Sequence, residues 1–163
     1  MKCVIDDDLN GLVDRILSAD GLVIGSPTYF YNVSADIKCL IDRLYSLEAF
    51  HPDDRSCWVG LPEAMGGKYL VAVSVAEQSE ERYMGFALDA IEMAFRDLGF
   101  RCVARVAALH HFEAGSVLED KGALNDAREA GQKLVRTIEL RSSLRERIRA
   151  MDAEGVHRLN GII

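Results

Sequence analysis

Hydrophobic positions along the chain follow two different spacings. In the first spacing, apolar residues recur every three or four positions, which is typical of one face of a helix. These helical segments fall at 9–17, 37–47, 84–98 and 124–138. Between them lie short continuous apolar runs of the kind found in strands buried on both faces. The runs fall at 21–25, 69–76 and 102–109.

This alternation of helices and buried strands predicts an α/β fold. Strands that are separated by helices pair in parallel, with helices covering both faces of the sheet. Ligands bind beyond the carboxyl ends of the strands in such sheets. We therefore expect the functional residues in the loops after Gly25, Ala76 and Leu109.

Two segments depart from this alternation. Residues 48–67 form a connection longer than the few residues usual between a helix and a strand, which predicts either a lid or a contact surface. Residues 141–153 combine apolar and charged positions at helical spacing, which predicts an amphipathic extension packed on the body or on a partner subunit. We divide the chain accordingly into a domain at 1–140 and a helical extension at 141–163.

Charge and composition narrow the classes of function. Nineteen Lys and Arg stand against 26 Asp and Glu, giving a formal net charge of −7. That balance argues against a nucleic-acid partner, which requires a basic surface. No apolar run is long enough to cross a bilayer, and the first residues lack a signal-peptide pattern, so we predict a cytoplasmic protein without a membrane partner. The four cysteines are widely spaced and predict neither a disulfide framework nor a metal site.

The segment from Gly25 to Ser34 carries the most chemical information. Pro27 fixes the exit from a strand, and Tyr29, Phe30 and Tyr31 follow in the loop. Asn32 and Ser34 are good N-caps for the next helix, whose free N–H groups point towards the same loop. Aromatic planes beside polar caps suit a flat conjugated ring with a polar tail. An aromatic turn that only packs on its own helix explains the pattern equally well.

The same segment resembles a known family. The Ser-Pro-x-Tyr-Phe turn from Ser26, the Asn-x-Ser cap from Asn32 and the Lys-x-x-Ile-Asp-Arg helix from Lys38 occur in the order and spacing of the NAD(P)H-dependent FMN reductases and iron–sulfur flavoproteins. The resemblance continues more loosely to about Leu140, including Gly115-x-Val-Leu-Glu-Asp120.

This resemblance implies a flavodoxin-like three-layer αβα sandwich that binds FMN noncovalently. It implies NAD(P)H as electron donor and a small acceptor such as a quinone or free flavin. The positions that match the flavin-contacting loop of the family are Ser26, Pro27, Thr28, Tyr29, Phe30, Asn32, Val33 and Ser34.

The chain departs from the family pattern at its beginning. The family's first strand, the phosphate-binding loop that follows it and the second strand have no counterpart, so we predict an N-terminally truncated version of the fold. The strand at 21–25 then becomes an open edge, which favours a homo-oligomer. Cys3 matches the last of four cluster-binding thiolates in the family, but one cysteine makes no cluster site.

The sequence does not decide the roles of several other polar residues. The loop after Ala76 lacks the glycines common in flavin reductases, although Glu77 and Gln78 have groups that can hydrogen-bond a flavin edge. His110 and His111 follow a strand end, where a functional role and a structural one are both open. No nucleophile or acid–base motif is legible, so no catalytic side chain is assigned.

Two functions remain. The first is an FMN-dependent NAD(P)H oxidoreductase, in which the flavin performs the chemistry and the protein orients it. The alternative is a flavin-free remnant or interaction subunit that keeps the fold without the cofactor, because the missing phosphate loop removes the main anion-binding N–H groups.

Overall fold

A computed structural model describes residues 4, 5 and 7–160, of which 152–160 are described as helix backbone only. Cys3 therefore lies outside the described residues. The helices are α1 (Leu9–Ser18), α2 (Ala35–Leu44), α3 (Leu61–Ala64), α4 (Ala87–Asp97) and α5 (Lys121–Asn160). The strands are β1 (Gly21–Pro27), β2 (Glu48–Phe50), β3 (Trp58–Gly60), β4 (Lys68–Val75) and β5 (Phe100–Ala108).

The main sheet has three parallel strands in the order β1–β4–β5. β1 pairs with β4 in continuous register from Gly21 opposite Tyr69 to Pro27 opposite Val75. The register between β4 and β5 shifts once, after Leu70. Within the described residues, β4 is the only partner of β1, which confirms that β1 is an edge strand of this sheet.

Helices cover both faces of the sheet, as the alternating pattern predicts. On one face α1, α2 and α4 enclose the larger core, centred on Leu47, Leu70, Ile91 and Phe95. On the other face α5 packs on β4 and β5, through the smaller cluster that contains Val71 and Leu134. The three-layer αβα arrangement is confirmed.

α5 is one continuous helix of 40 residues. Its middle packs on the body, where Arg141 donates to the carbonyls of Gly66 and Gly67 and lies over the Tyr69 ring. An apolar stripe on the same helix is exposed, with side chains between 45% and 70% accessible; its members are Leu140, Leu144, Ile148 and Met151. Over residues 141–151 the extension thus touches the rest of the domain through Arg141 and Arg145, while Leu144, Ile148 and Met151 stay exposed.

The connection at 48–67 contains secondary structure of its own. β2 and β3 form an antiparallel hairpin, and α3 packs below it, where the Glu63 N–H donates to the Leu98 carbonyl. Gly99, which ends α4 with a φ of 96°, approaches Glu63 so closely that no Cβ would fit. These contacts lie at the amino ends of β4 and β5. Ligands of parallel sheets bind at the opposite end, so the prediction that 48–67 forms a lid over the site is wrong. The alternative, that this segment forms a contact surface, stays a prediction.

Candidate functional site

Two neighbouring cavities lie at the carboxyl ends of the strands, where the sequence places the site. The first, of about 400 Å³, is lined by Pro27, Thr28, Tyr29, Val75, Ala76, Glu77 and the loop His111–Val117. The second, of about 360 Å³, is lined by Thr28, Tyr29, Phe30, Tyr31, Glu77 and Gln78. They share Thr28, Tyr29 and Glu77 and so form one crevice along the end of the sheet.

A larger cavity of about 860 Å³ lies elsewhere, between β5 and α5. Its lining includes Glu81, Arg105, Glu129 and Lys133. Arg105 forms salt bridges there with Asp89, Glu92 and Glu81, at 2.8, 3.3 and 3.1 Å. This wide groove lies between a strand and a helix, away from the carboxyl ends of the strands, so we place the candidate site in the crevice.

The wall of the crevice after β1 is a strained aromatic turn. The backbones of Tyr29 and Asn32 exchange two hydrogen bonds, of 2.8 and 3.1 Å. Between them Phe30 and Tyr31 have φ values of 46° and 67°, so both central residues are left-handed, as in a type I′ turn. Aromatic residues rarely adopt this conformation, and each costs about 1–3 kcal/mol unless the surroundings enforce it. Such strain is concentrated at functional sites.

The aromatic rings of the turn point outwards. Tyr29, Phe30 and Tyr31 are 64%, 96% and 54% accessible. The turn is held from below by the loop before α4, where the Phe86 N–H donates to the Tyr31 carbonyl at 2.8 Å and Gly85 packs directly beneath it. The structure thus fixes the backbone of the turn and leaves its rings available to a ligand.

Three hydroxyls, two of them buried, connect the turn to the sheet. The Ser26 hydroxyl accepts from the Ser34 N–H at 2.8 Å. The Ser74 hydroxyl donates to the Ser26 carbonyl at 2.8 Å and lies 3.0 Å from the Thr28 hydroxyl. Ser26 and Ser74 are almost fully buried. These hydrogen bonds use the polar groups of Ser26 to hold the start of the turn in place.

The eight residues predicted to contact a flavin separate into two groups. Those lining the crevice are Pro27, Thr28, Tyr29 and Phe30. The remaining four, Ser26, Asn32, Val33 and Ser34, form the framework behind the turn. Asn32 accepts from the Val33 N–H, and Val33 is buried in the core. Ser34 caps α2, as predicted, with its hydroxyl 3.4 Å from the Ile37 N–H.

The loop after β4 supplies an unsatisfied acceptor. The Gln78 Oε1 atom is buried and has no hydrogen-bond partner, although Gln78 lines the crevice. A buried amide oxygen without a donor is costly, which points to a ligand N–H or O–H. Arg82, the one cation of this loop, already pairs with Glu80 at 2.8 Å and lies over the Tyr83 ring.

The loop after β5 brings together three residues that sequence reasoning did not connect. His111 Nδ1 lies 3.1 Å from the Ser116 hydroxyl, and its Nε2 lies 3.3 Å from Asp120 Oδ2. The Asp120 carboxylate also accepts from the Ala123 N–H at the start of α5. That backbone hydrogen bond holds the pKa of Asp120 below its usual range, and the nearby His111 adds to the effect.

Comparison with known proteins identifies the family. The sequence profile described as NADPH-dependent FMN reductase matches residues 1–114. The chain belongs to this family. The aromatic turn, the Gln78 loop and His111 all fall inside the matched region, whereas Ser116, Asp120 and α5 follow it.

Curated relatives share shorter segments of the family domain. An iron-sulfur flavoprotein of Methanocaldococcus jannaschii is 35% identical over 65 residues, which are 40% of this chain and 33% of the relative. An iron-sulfur flavoprotein of Archaeoglobus fulgidus is 35% identical over 77 residues, 47% of this chain and 40% of the relative. The matched segments thus span well under half of the length of these relatives.

Solved structures confirm the flavodoxin-like fold of the family member. The Trp repressor binding protein from Bacillus subtilis superposes with a TM-score of 0.59 at 23% identity, covering 76% of this chain and 70% of that one. An FMN-dependent NADH-azoreductase from Bacillus anthracis, solved with FMN, gives a TM-score of 0.55 at 16% identity, covering 76% of this chain and 60% of that one. At these identities the likeness establishes the fold alone.

No helix in the described part of the chain combines the length and apolar character needed to cross a membrane. Across the same residues, His, Cys, Asp and Glu side chains form no group of three or more that could hold a metal ion. The iron–sulfur part of the relatives' names therefore has no matching ligand set among the residues described.

Proposed function

We propose that this chain binds FMN at the crevice and acts as a flavin-dependent oxidoreductase, taking electrons from NAD(P)H and passing them to a small acceptor. The strained aromatic turn is the observation that carries this proposal, because it holds exposed rings at the carboxyl end of a parallel sheet. Membership of the NADPH-dependent FMN reductase family supports it. We assign the activity to the cytoplasm, where NAD(P)H is supplied.

The residues of the crevice fit the ring end of FMN. Aromatic side chains at 29–31 offer planes for an isoalloxazine, and the unsatisfied Gln78 Oε1 offers an acceptor for its imide N–H. When bound, FMN supplies the hydride and electron transfer chemistry. The task of this chain is to orient the ring between the turn and Gln78 and to exclude water from one side.

The phosphate end of FMN has weaker support in the crevice. The described residues that line one or other of the two cavities include the carboxylates Glu77 and Glu113 but no lysine or arginine. The Ser34 hydroxyl already satisfies one N–H at the start of α2. We therefore expect FMN to bind less tightly than in flavoproteins with a glycine-rich phosphate loop.

The test is the visible absorption spectrum of the purified chain, mixed with FMN and passed through gel filtration. We expect a retained flavin spectrum that NADH or NADPH bleaches, and the faster of the two identifies the donor. Gln78→Leu should weaken binding about 2- to 10-fold, the loss of one hydrogen bond worth roughly 0.5–1.5 kcal/mol. A wild-type protein that elutes colourless at every FMN concentration tried would contradict the proposal.

The second candidate function is a flavin-free interaction subunit, which is favoured because no lysine or arginine is among the described residues that line the crevice. The same spectrum separates the two, because this candidate predicts no retained flavin. It also predicts that the chain associates with another protein without any redox activity.

We propose further that the chain forms a homo-oligomer through β1. This edge strand has no partner on its outer side among the described residues, and Val23 on it is 58% exposed. An open apolar edge is a pairing surface. Sedimentation velocity should show a dimer or larger species that Val23→Lys converts to monomer, while Met93→Lys on the exposed side of α4 should change nothing. A wild-type monomer at micromolar concentrations would overturn this.

A further inference from the structure

The loop after β5 contains a polar cluster of three residues, which we call the histidine cluster: His111, Ser116 and Asp120. The His111 side chain is only 8% exposed, and its buried Nε2 has no well-aligned hydrogen-bond acceptor although Asp120 Oδ2 is 3.3 Å away. Its Nδ1 is 3.1 Å from the Ser116 hydroxyl. A buried imidazole is therefore connected at one nitrogen to a carboxylate and at the other to a hydroxyl.

The cluster forms part of the wall of the first cavity. His111 and Ser116 both line it, opposite Thr28 and Tyr29 of the aromatic turn. Asp120, just before α5, lies beside the imidazole, and the other titratable groups that line the same cavity are Glu77 after β4, Glu113 in the same loop and Tyr29 of the turn. Two backbone hydrogen bonds, from His110 to Gln78 and from His111 to Ala76, fix this loop against the β4 loop.

The backbone around Ser116 does not suit a hydrolase. Serine hydrolases use the same three residue types but also need free N–H groups for an oxyanion. Here the Ser116 N–H donates to the Glu113 carbonyl at 3.1 Å, and the Leu118 N–H donates to the Gly115 carbonyl at 2.9 Å. Both donors are already used, so the cluster is better suited to moving a proton than to attacking a carbonyl.

We propose that the histidine cluster is a proton relay, in which Ser116 delivers a proton to an acceptor reduced in the crevice and His111 replaces it. This inference rests on the proposed function, and it narrows the acceptor to compounds that need a proton on reduction, such as quinones. Asp120 acts through His111 as a positioning residue, because its negative charge stabilises the imidazolium that supplies the proton.

The relay supplies the second proton that the reduction of a quinone requires. Conversion to the hydroquinone consumes two electrons and two protons. A hydride from the reduced flavin accounts for both electrons and one proton. The Ser116 O–H bond breaks as its proton passes to the acceptor oxygen, and the Nδ1–H proton of the His111 imidazolium passes to Ser116 Oγ. The neutral His111 then takes a proton from solvent.

The rate of the acceptor step tests the relay. Flavin-loaded protein is photoreduced and mixed anaerobically either with a benzoquinone or with ferricyanide, which takes an electron but no proton. We expect Ser116→Ala to slow quinone reduction about 100-fold or more, the usual size of acid–base catalysis, and to leave the ferricyanide rate unchanged. Ser116→Thr keeps a hydroxyl and should restore most of the quinone rate.

The role of Asp120 is tested on the flavin-free chain by the NMR chemical shifts of the histidine rings. Asp120→Asn removes the charge and keeps an oxygen that accepts from the Ala123 N–H. We expect this variant to change the ring shifts of His111, whose Nε2 lies 3.3 Å from Asp120, and to leave those of His51 unchanged. In the loaded protein it should slow quinone reduction and leave the ferricyanide rate unchanged.

The results of these experiments distinguish a failure of the proposed function from a failure of the relay. A wild type that retains no flavin would overturn both the proposed function and the relay. Retained flavin with a Ser116→Ala quinone rate equal to that of the wild type would overturn the relay alone. So would a quinone rate that Asp120→Asn leaves unchanged.

Discussion

Gly85→Ala is expected to lower the affinity for FMN at least tenfold. Gly85 has a φ of 77°, and a Cβ at this position would lie 2.4 Å from the Tyr31 carbonyl oxygen and 2.5 Å from its Cβ. Relief of that clash moves the aromatic turn and stretches the hydrogen bond from the Phe86 N–H to Tyr31. Because this contact helps to hold Phe30 and Tyr31 in their strained left-handed conformation, the turn should relax to another conformation when it is lost. Titration of FMN fluorescence measures the change.

The control for this variant is Gly67→Ala. Gly67 has a nearly equal φ of 75°, but a Cβ there meets only the Gly99 carbonyl at an ordinary 3.4 Å, at the opposite end of the sheet. Both variants carry the conformational penalty of a left-handed alanine, about 1–2 kcal/mol. Only Gly85→Ala should weaken FMN binding. Equal FMN affinities in the two variants would show that the turn is not part of the flavin site.

Phe95→Ala is expected to cost about 3–5 kcal/mol of unfolding free energy, a large share of the stability of one domain. Phe95 lies on α4 and is fully buried against the sheet. Its ring packs edge to face on that of Phe100, with the ring centroids 5.3 Å apart. The change leaves a cavity in the larger core that the rigid sheet cannot close. Urea denaturation followed by circular dichroism gives the difference.

Met93→Ala serves as the reference for the core variant. Met93 lies on the same helix but is 54% exposed, so its truncation should change stability by less than about 0.5 kcal/mol. A cost for Phe95→Ala below about 1 kcal/mol would mean that α4 does not pack on the sheet as described.

Local patterns determine much of the fold. The continuous apolar runs predict β1, β4 and β5, because strands covered on both faces need apolar residues on both sides. Ser34 caps α2 and Gly99 follows the end of α4, as residue preferences at helix ends predict. In the connection at 48–67, by contrast, β2 and β3 are too short to give a pattern, and their pairing depends on a hairpin formed by contacts across the loop.

Only part of the candidate site could be predicted from the sequence. Sequence alone indicated the segment from Ser26 to Ser34, since its residue types suit a flavin and its motif matches a family. It did not indicate which of these side chains face the crevice. That division follows from the left-handed pair Phe30 and Tyr31, whose conformation is imposed by Gly85 and Phe86 from another loop.

The sequence by itself determined the α/β class and the positions of the three parallel strands, because both depend on the apolar pattern along the chain. It also indicated the segment from Ser26 to Ser34 as the candidate site, because the motif there matches a family. Only the tertiary structure decided that the 48–67 connection lies away from the crevice, that Gln78 keeps an unsatisfied acceptor there and that His111, Ser116 and Asp120 meet. Those features depend on where separate loops come together beyond the sheet. No spacing along the chain encodes a distance between side chains that the folding of those loops creates.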